Sequence, residues 1–177
     1  EEASYTGAEG QRVVEPRTRI TVVRLKQEIY KKSSLGLIGL SKDPSGGQAN
    51  RGFGFDWDLA LGKRLSTIGF LAKTQTPGLA GNDSAASADL LYQGKHLRAR
   101  TMVLDIGEGF HDELGLITRT GIRKSQTVLG WIFAPQRRAV HRALFAVDFN
   151  HVDNQRGQLE SQVTKVMPAS RAALAAG

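Results

Sequence analysis

The chain has 177 residues, of which 40% are hydrophobic, enough for one domain with a large buried or lipid-covered surface. It contains no cysteine, which excludes a disulfide framework, a thiolate metal site and a cysteine nucleophile. The formal net charge of +7 is spread over turns and strands rather than gathered on one face with interleaved aromatic residues. We therefore expect no nucleic-acid partner.

Apolar and polar residues alternate in nine segments that are separated by clusters of Gly, Pro, Asn and Asp. The segments cover about 19–29, 33–42, 52–61, 65–74, 84–92, 97–106, 122–133, 139–150 and 158–167. No run approaches the about 18 apolar residues of a transmembrane helix. The pattern predicts an all-β protein, an antiparallel up-and-down meander of about nine strands.

The segment Gly52–Leu61 has the clearest alternation. Its odd-numbered positions, beginning with Phe53, are all large and apolar, whereas its even-numbered positions are small or acidic. Side chains of a strand point alternately to opposite faces, so this strand has one apolar and one polar face. A soluble sandwich or a lipid bilayer would cover the apolar face equally well.

The connections between the predicted strands alternate in length. Those at 30–32, 62–64, 93–96 and 134–138 are short, whereas those at 43–51, 75–83, 107–121 and 151–157 are long. Short turns at one rim and longer loops at the other are typical of outer-membrane barrels. We therefore expect the meander to be part of such a barrel in a bacterial outer membrane.

This interpretation divides the chain into three parts. Residues 1–18 are an N-terminal loop or linker, 19–167 a β-barrel segment, and 168–177 an Ala-rich tail that forms a short helix capped by Ser170 or a disordered end. Nine strands are an odd number, whereas bacterial single-chain barrels have an even number. We therefore expect the barrel to be completed by missing strands of the same protein or by another chain. The sequence opens at Glu1, without an initiator Met or the basic and apolar regions of a signal peptide, so we expect a processed form, a fragment or an engineered product.

Strand parity assigns side chains to lipid or to a hydrated lumen. Charged residues avoid the apolar parity, as the cost of about 2–4 kcal/mol for an Arg at mid-bilayer requires. Predicted lipid-facing residues are Phe53, Phe55, Trp57, Leu59, Leu61, Ile68, Phe70, Leu90, Tyr92, Leu129, Trp131, Phe133, Phe145, Val147 and Phe149. Predicted lumen-facing residues are Asp56, Asp58, Asp89, Arg98, Arg100, Arg142 and Asp148.

Three separated stretches resemble a known bacterial envelope family. They are residues 69–83, 102–110 and 113–124, and the pattern from 30–35 through 50–51 also fits, so the resemblance covers about residues 19–165. Family members join an N-terminal domain similar to family-nine carbohydrate-binding domains to a C-terminal domain of unknown function that looks like an outer-membrane barrel. The resemblance implies a membrane barrel with a link to carbohydrate handling. This chain lacks the carbohydrate-binding-like part.

Chemistry-bearing motifs are sparse. The four histidines, at 96, 111, 141 and 151, show no metal-ligand spacing, and there is no nucleophile elbow or P-loop. An acidic cluster includes Asp105, Glu108 and Asp112, which are weak candidates for a metal site, and His111 and Glu113 lie beside them. A solvated acidic loop explains the cluster more simply. We expect no catalytic residue and no cofactor.

The sequence thus favours a wall of an outer-membrane barrel that serves as a channel, an uptake pore or a membrane anchor. Its expected partners are outer-membrane lipid, the strands that complete the barrel and a carbohydrate ligand. Two alternatives remain open: a soluble β-sheet module that binds carbohydrate or lipid in a polar concavity, and a membrane-associated hydrolase that uses the long loops, an activity sometimes attributed to the similar family.

Overall fold

The structure of the protein, a computed structural model, describes residues 4–6, 12–14, 17–78, 81–111, 119–133 and 140–172. Within these ranges every regular element is a β-strand. A short antiparallel hairpin pairs β1 (Ser4–Thr6) with β2 (Arg12–Val14). The remaining strands are β3 (Thr18–Tyr30), β4 (Ser33–Pro44), β5 (Asn50–Leu61), β6 (Leu65–Gln75), β7 (Ser84–Gln93), β8 (Leu97–Ile106), β9 (Ile122–Phe133), β10 (Val140–Asn154) and β11 (Leu159–Ala172).

Strands β3 to β11 form one nine-stranded sheet in which each strand pairs antiparallel with its neighbours in the chain. The predicted all-β, up-and-down meander of nine strands is thereby confirmed. The sheet is open, with β3 and β11 as its two edge strands. Closure into a barrel therefore stays a prediction.

The ends of the chain differ from the sequence-based expectation. Residues 1–18, interpreted as a loop or linker, contain the β1–β2 hairpin and the first residue of β3. Strand β11 continues to Ala172, so half of the predicted Ala-rich tail is strand rather than helix or disordered chain; residues 173–177 lie outside the described residues. Cross-strand pairing with β10 outweighs the modest helix preference of this Ala-rich segment.

The turns between strands place two kinds of connection at opposite ends of the sheet. Residues 31–32, 62–64 and 94–96 connect strands at one end, the short-turn end, and Lys32 and Gly62 have the positive φ angles, 62° and 83°, that tight turns use. Residues 45–49, 76–83 and 107–121 connect strands at the other, the long-loop end. Because β10 continues to Asn154, its connection, 155–158, is shorter than predicted.

Few side chains are buried. One cluster consists of Ala85, Ile106 and Phe110, with Phe70 and Ile122 among the half-buried residues against it. Phe110 follows β8 and folds back from the long-loop end onto the sheet. Within the described part of the chain, no helix has the length and hydrophobicity needed to cross a membrane.

Candidate functional site

The pairing registers divide the side chains of the nine-stranded sheet between two faces. Directly paired residues point to the same side of a sheet, so membership of a face follows from strand to strand. One face carries Phe55, which pairs with Leu37 and with Leu71, and we call it the apolar face. The other carries Asp56, which pairs with Phe70, and we call it the polar face.

Most residues that the sequence assigned to lipid share the apolar face. They are Phe53, Phe55, Trp57, Leu59, Leu61, Leu90, Tyr92, Leu129, Trp131, Phe133, Phe145, Val147 and Phe149. Ile68 and Phe70 do not, and grouping them with the others was wrong. Ile68 pairs directly with Asp58 on one side and Asp89 on the other, so it lies on the polar face.

The physical reason for this error is the turn at residues 62–64. Leu61 pairs with Leu65 across that turn, so odd-numbered residues of β5 face odd-numbered residues of β6. Strand β6 has large apolar residues at both parities, and its hydrophobic pattern alone does not fix its register.

The apolar side chains of the apolar face are exposed or half-buried where the structure describes them. Phe53 of β5 is 62% exposed and Trp131 of β9 is 56% exposed. Toward the long-loop end this face becomes polar on nearly every strand. The polar residues there include Arg19, Thr21, Ser41, Asp43, Arg51, Lys73, Gln75, Ser84, Asp105, Arg123, Ser125, His151 and Asp153. The apolar side chains therefore form a band with a defined polar border.

Aromatic rings mark the opposite, short-turn border of the band. Tyr92, Trp131 and Phe133 lie on the apolar face near the ends of their strands. The ring of His96 stacks on Trp131 with 6.5 Å between centroids. Aromatic rings with a polar edge are favoured where an apolar medium meets water.

The polar face carries most of the charged residues that the sequence assigned to the lumen. Asp56, Asp58, Asp89, Arg98, Arg100 and Asp148 all lie on it. Arg142 lies in β10, where its backbone pairs opposite Arg171, and its side chain is outside the described residues. The structure thus brings acidic and basic residues of several strands onto one surface.

Asp89 and Arg100 form the best-defined ion pair on the polar face. The Arg100 Nε donates to both Asp89 carboxylate oxygens, at 3.0 and 2.8 Å, and Nη2 donates to Oδ2 as well. The Asp89 side chain is only 12% exposed, whereas that of Arg100 is 59% exposed. The pair connects β7 to β8 and leaves the outer part of the guanidinium in solvent.

A glycine makes room for a second ion pair. The Arg24 Nη2 of β3 donates to the Asp56 Oδ1 of β5 at 2.9 Å and lies at ion-pair distance, 2.8 Å, from Oδ2, so that this pair reaches across the intervening strand β4. On β4, Gly36 pairs directly with Asp56, and a Cβ at Gly36 would come within 2.5 Å of the Asp56 Oδ2. A side chain at position 36 would therefore displace the carboxylate from Arg24.

A cavity of about 500 Å³ lies over the polar face near the short-turn end. Its charged lining residues are Asp58, Asp89, Arg98 and Arg100, and its apolar ones include Ile68, Leu91, Val128 and Ala146. Arg98 pairs in register with Gly130 of β9, which has no side chain, and with Gln93 of β7. We call this cavity the polar trough.

The buried cluster around Phe110 bounds the polar face toward the long-loop end. Phe110 packs against Ala85 and Ile106 and is 5% exposed. The backbone N–H groups of Gly107 and Gly109 donate to the carbonyls of Ser84 and Asn82, at 2.8 and 2.9 Å. The polar face is thus covered at this end by residues of the connection between β8 and β9.

The weak metal candidates do not come together in a site among the described residues. The Asp105 carboxylate accepts hydrogen bonds from Arg123 Nε at 2.9 Å and from Gln155 Nε2 at 2.7 Å. Glu108 lies in the turn after β8, and Asp112 and Glu113 fall outside the described part of the chain. Within that part, no group of three or more histidine or acidic residues is arranged to hold a metal ion.

Comparison of this chain with known protein families, curated proteins and solved structures finds no match.

Proposed function

We propose that this chain is a wall of an outer-membrane β-barrel, with its apolar face against lipid and its polar face toward an aqueous lumen. The observation that supports it most strongly is the exposed apolar band. The band continues from β4 to β10 and reaches Val23 and Leu25 of β3 and Val166 of β11. Charged residues on that face are confined to the long-loop end among the residues whose side chains are described.

The dimensions of the band support a bilayer as its surroundings. Nine strands at a spacing of about 4.8 Å make the sheet roughly 40 Å wide. From Phe53 to Leu61 the band extends about 27 Å along the strand, or about 20 Å along the membrane normal at a barrel tilt of about 40°. The band covers roughly 1,000 Å² in projection, with threonines at 67, 101 and 127 inside it, whereas the largest apolar patch of a typical soluble monomer is about 300–600 Å².

The polar face has the character of a hydrated lumenal wall. Its ion pairs, Arg24–Asp56 and Arg100–Asp89, keep at least one partner substantially in solvent. Burying such charges in a dry core would be costly, whereas a wet lumen hydrates them. In this proposal the protein conducts or takes up polar solutes past the polar trough, or anchors a larger envelope protein in the bacterial outer membrane.

The polar trough also favours a second candidate function. Its volume of about 500 Å³ lies in the range of small-molecule sites, about 300–1,000 Å³, and it combines an apolar floor with charged groups. A soluble β-sheet module that binds a carbohydrate there would have the same polar face. It would require another protein surface, rather than lipid, on the apolar face.

Tryptophan fluorescence in brominated lipid separates the two candidates. The chain has two tryptophans, Trp57 and Trp131, and both lie on the apolar face. In vesicles of brominated phosphatidylcholine, we expect bromine to quench both relative to unbrominated vesicles, and aqueous iodide to quench neither strongly. Trp57→Phe and Trp131→Phe report the two sites separately. Efficient iodide quenching without bromine quenching would exclude lipid contact.

A tryptophan on the polar face provides the matched control. Phe70→Trp, made in a chain that also carries Trp57→Phe and Trp131→Phe, places the only indole on the polar side of β6. We expect this indole to be insensitive to brominated lipid. Bromine quenching of similar size at Trp57 and at position 70 would contradict the assignment of faces.

A further inference from the structure

Both edges of the sheet are open and fully exposed. Every residue of β3 is exposed, and so is every residue of β11 whose side chain is described. Each edge strand pairs with one neighbour only, β3 with β4 and β11 with β10. Unpaired backbone groups cost several kcal/mol each in the hydrocarbon core, so a membrane wall needs partner strands at both edges.

The direction of the two edge strands restricts what these partners are. Neighbours in the meander run antiparallel, so β3, β5, β7, β9 and β11 all run in the same direction. Direct pairing of β3 with β11 would therefore be parallel. A single strand between them, or any odd number, makes every pair antiparallel.

A second copy of this chain fits the edges poorly. Two copies with the same orientation in the membrane would place β3 of one beside β11 of the other, which again gives parallel pairs. Pairing β3 with β3, and β11 with β11, gives antiparallel pairs but inverts one copy. Its long loops would then lie at the opposite rim, although barrels insert with one orientation.

Charged residues continue the polar face to both edges of the sheet. Arg24, Lys26 and Glu28 of β3 lie on that face, and so does Lys165 of β11, which has Asp148 directly opposite it on β10. Partner strands therefore meet a charged, polar face at both edges, and polar side chains on that face fit it.

We infer that the partner is an odd number of further β-strands, outside residues 18–172, that run antiparallel to both β3 and β11. The strands beside β3 and β11 carry apolar residues on the apolar face and polar residues on the polar face. This inference rests on the proposed membrane-barrel function.

Photo-crosslinking in cells that make the protein from its natural gene tests the inference. A photoreactive phenylalanine analogue replaces Thr21 or Leu25 on β3, or Gln162 or Val166 on β11, and mass spectrometry locates the crosslinked residue. Moving the probe from Thr21 to Leu25, or from Gln162 to Val166, should shift the crosslink toward the N-terminus of the partner strand. A shift toward its C-terminus would show a parallel pair and overturn the inference.

A control probe and two further outcomes complete the crosslinking test. The same probe at Leu129 in β9 should crosslink to β8 or β10, near Ala99 or Val147, which shows that the probe reports neighbouring strands. Crosslinks from β3 to β11, or between isotopically distinct copies of the chain, would overturn the inference. So would crosslinks at Leu129 with none at the edges.

The crosslinking result and the proposed membrane function are tested independently. The response of Trp57 and Trp131 to brominated lipid depends on lipid contact of the apolar face and not on what pairs with the edges. Bromine quenching without the predicted edge crosslinks would reject the partner strands and retain the membrane wall.

Discussion

The indole of Trp57 lies across Gly69, its direct partner on the neighbouring strand. A Cβ at Gly69 would come within 2.3 Å of the Trp57 Cζ2 and within 2.3 Å of the Ser87 carbonyl oxygen. The indole Nε1 is 3.3 Å from the Thr67 Oγ1 and donates to it. An aromatic ring thus covers a strand glycine on the apolar face and satisfies its own polar group within the sheet.

This contact predicts that Gly69→Ala destabilises the protein. The added methyl group displaces the indole and strains the backbone at Ser87, at a cost of about 1–3 kcal/mol. Gly39→Ala is the matched control, because Gly39 also lies on the apolar face and a Cβ there meets nothing within 4 Å. Urea unfolding in detergent, followed by tryptophan fluorescence, measures both. Equal midpoints for the two variants would contradict the role of Gly69.

The strand pattern could be predicted from the sequence because alternation and turn residues act locally. The boundaries of β8, at 97 and 106, and of β9, at 122 and 133, agree with the prediction. The face on which Ile68 lies could not be predicted in this way. It depends on the register set by the turn at 62–64, and β6 carries apolar residues at both parities, so its own pattern favours neither face. The C-terminal end of β11 was also not predicted from the local sequence pattern, because pairing with β10 determines where this strand ends.

The polar trough was predicted only as a set of residues sharing a face. Alternation placed Asp89 and Arg100 on the lumenal side, but nothing in the sequence shows that they pair diagonally between β7 and β8. Gly36 gave no functional signal at all, because its role is to leave space for Asp56 on another strand. Such roles depend on register between strands, which a single sequence specifies weakly.

We expect Asp89→Asn to destabilise the protein more than Asp58→Asn does. Asp89 accepts charge-assisted bonds from Arg100, and its carboxylate is largely enclosed, whereas Asp58 is exposed and forms no hydrogen bond with another described residue. Because Arg100 is substantially solvated, the expected loss at Asp89 is about 1 kcal/mol, against less than about 0.5 kcal/mol at Asp58. Urea unfolding midpoints compare the two. A larger loss at Asp58 would reject this ranking.

Phe110 is predicted to hold the start of the connection between β8 and β9 against the sheet. Phe110→Ala removes a buried ring from contact with Ala85 and Ile106. The variant should lose about 3 kcal/mol of local stability in this cluster. Hydrogen exchange should accelerate at the amides of Gly107 and Gly109, with little change in β5. Phe133→Ala, at an exposed ring of the apolar face, is the control and should leave these amides unchanged. Unchanged exchange in both variants would show that Phe110 does not hold this segment.

Two residues of β6 give the sharpest test of which face meets lipid. Leu71 lies on the apolar face and Ile68 on the polar face, and their exposures are nearly equal, 52% and 55%. Leu71→Arg should impair membrane assembly, since an Arg facing lipid costs up to about 2–4 kcal/mol, a cost that falls toward the interface where Lys73 lies. Ile68→Arg should assemble, because Asp58 and Asp89 flank the new cation across both neighbouring strands. Heat-modifiable mobility of the membrane fraction on a gel measures assembly. A water-exposed sheet would tolerate both changes alike, so equal assembly of the two variants would remove lipid from the apolar face.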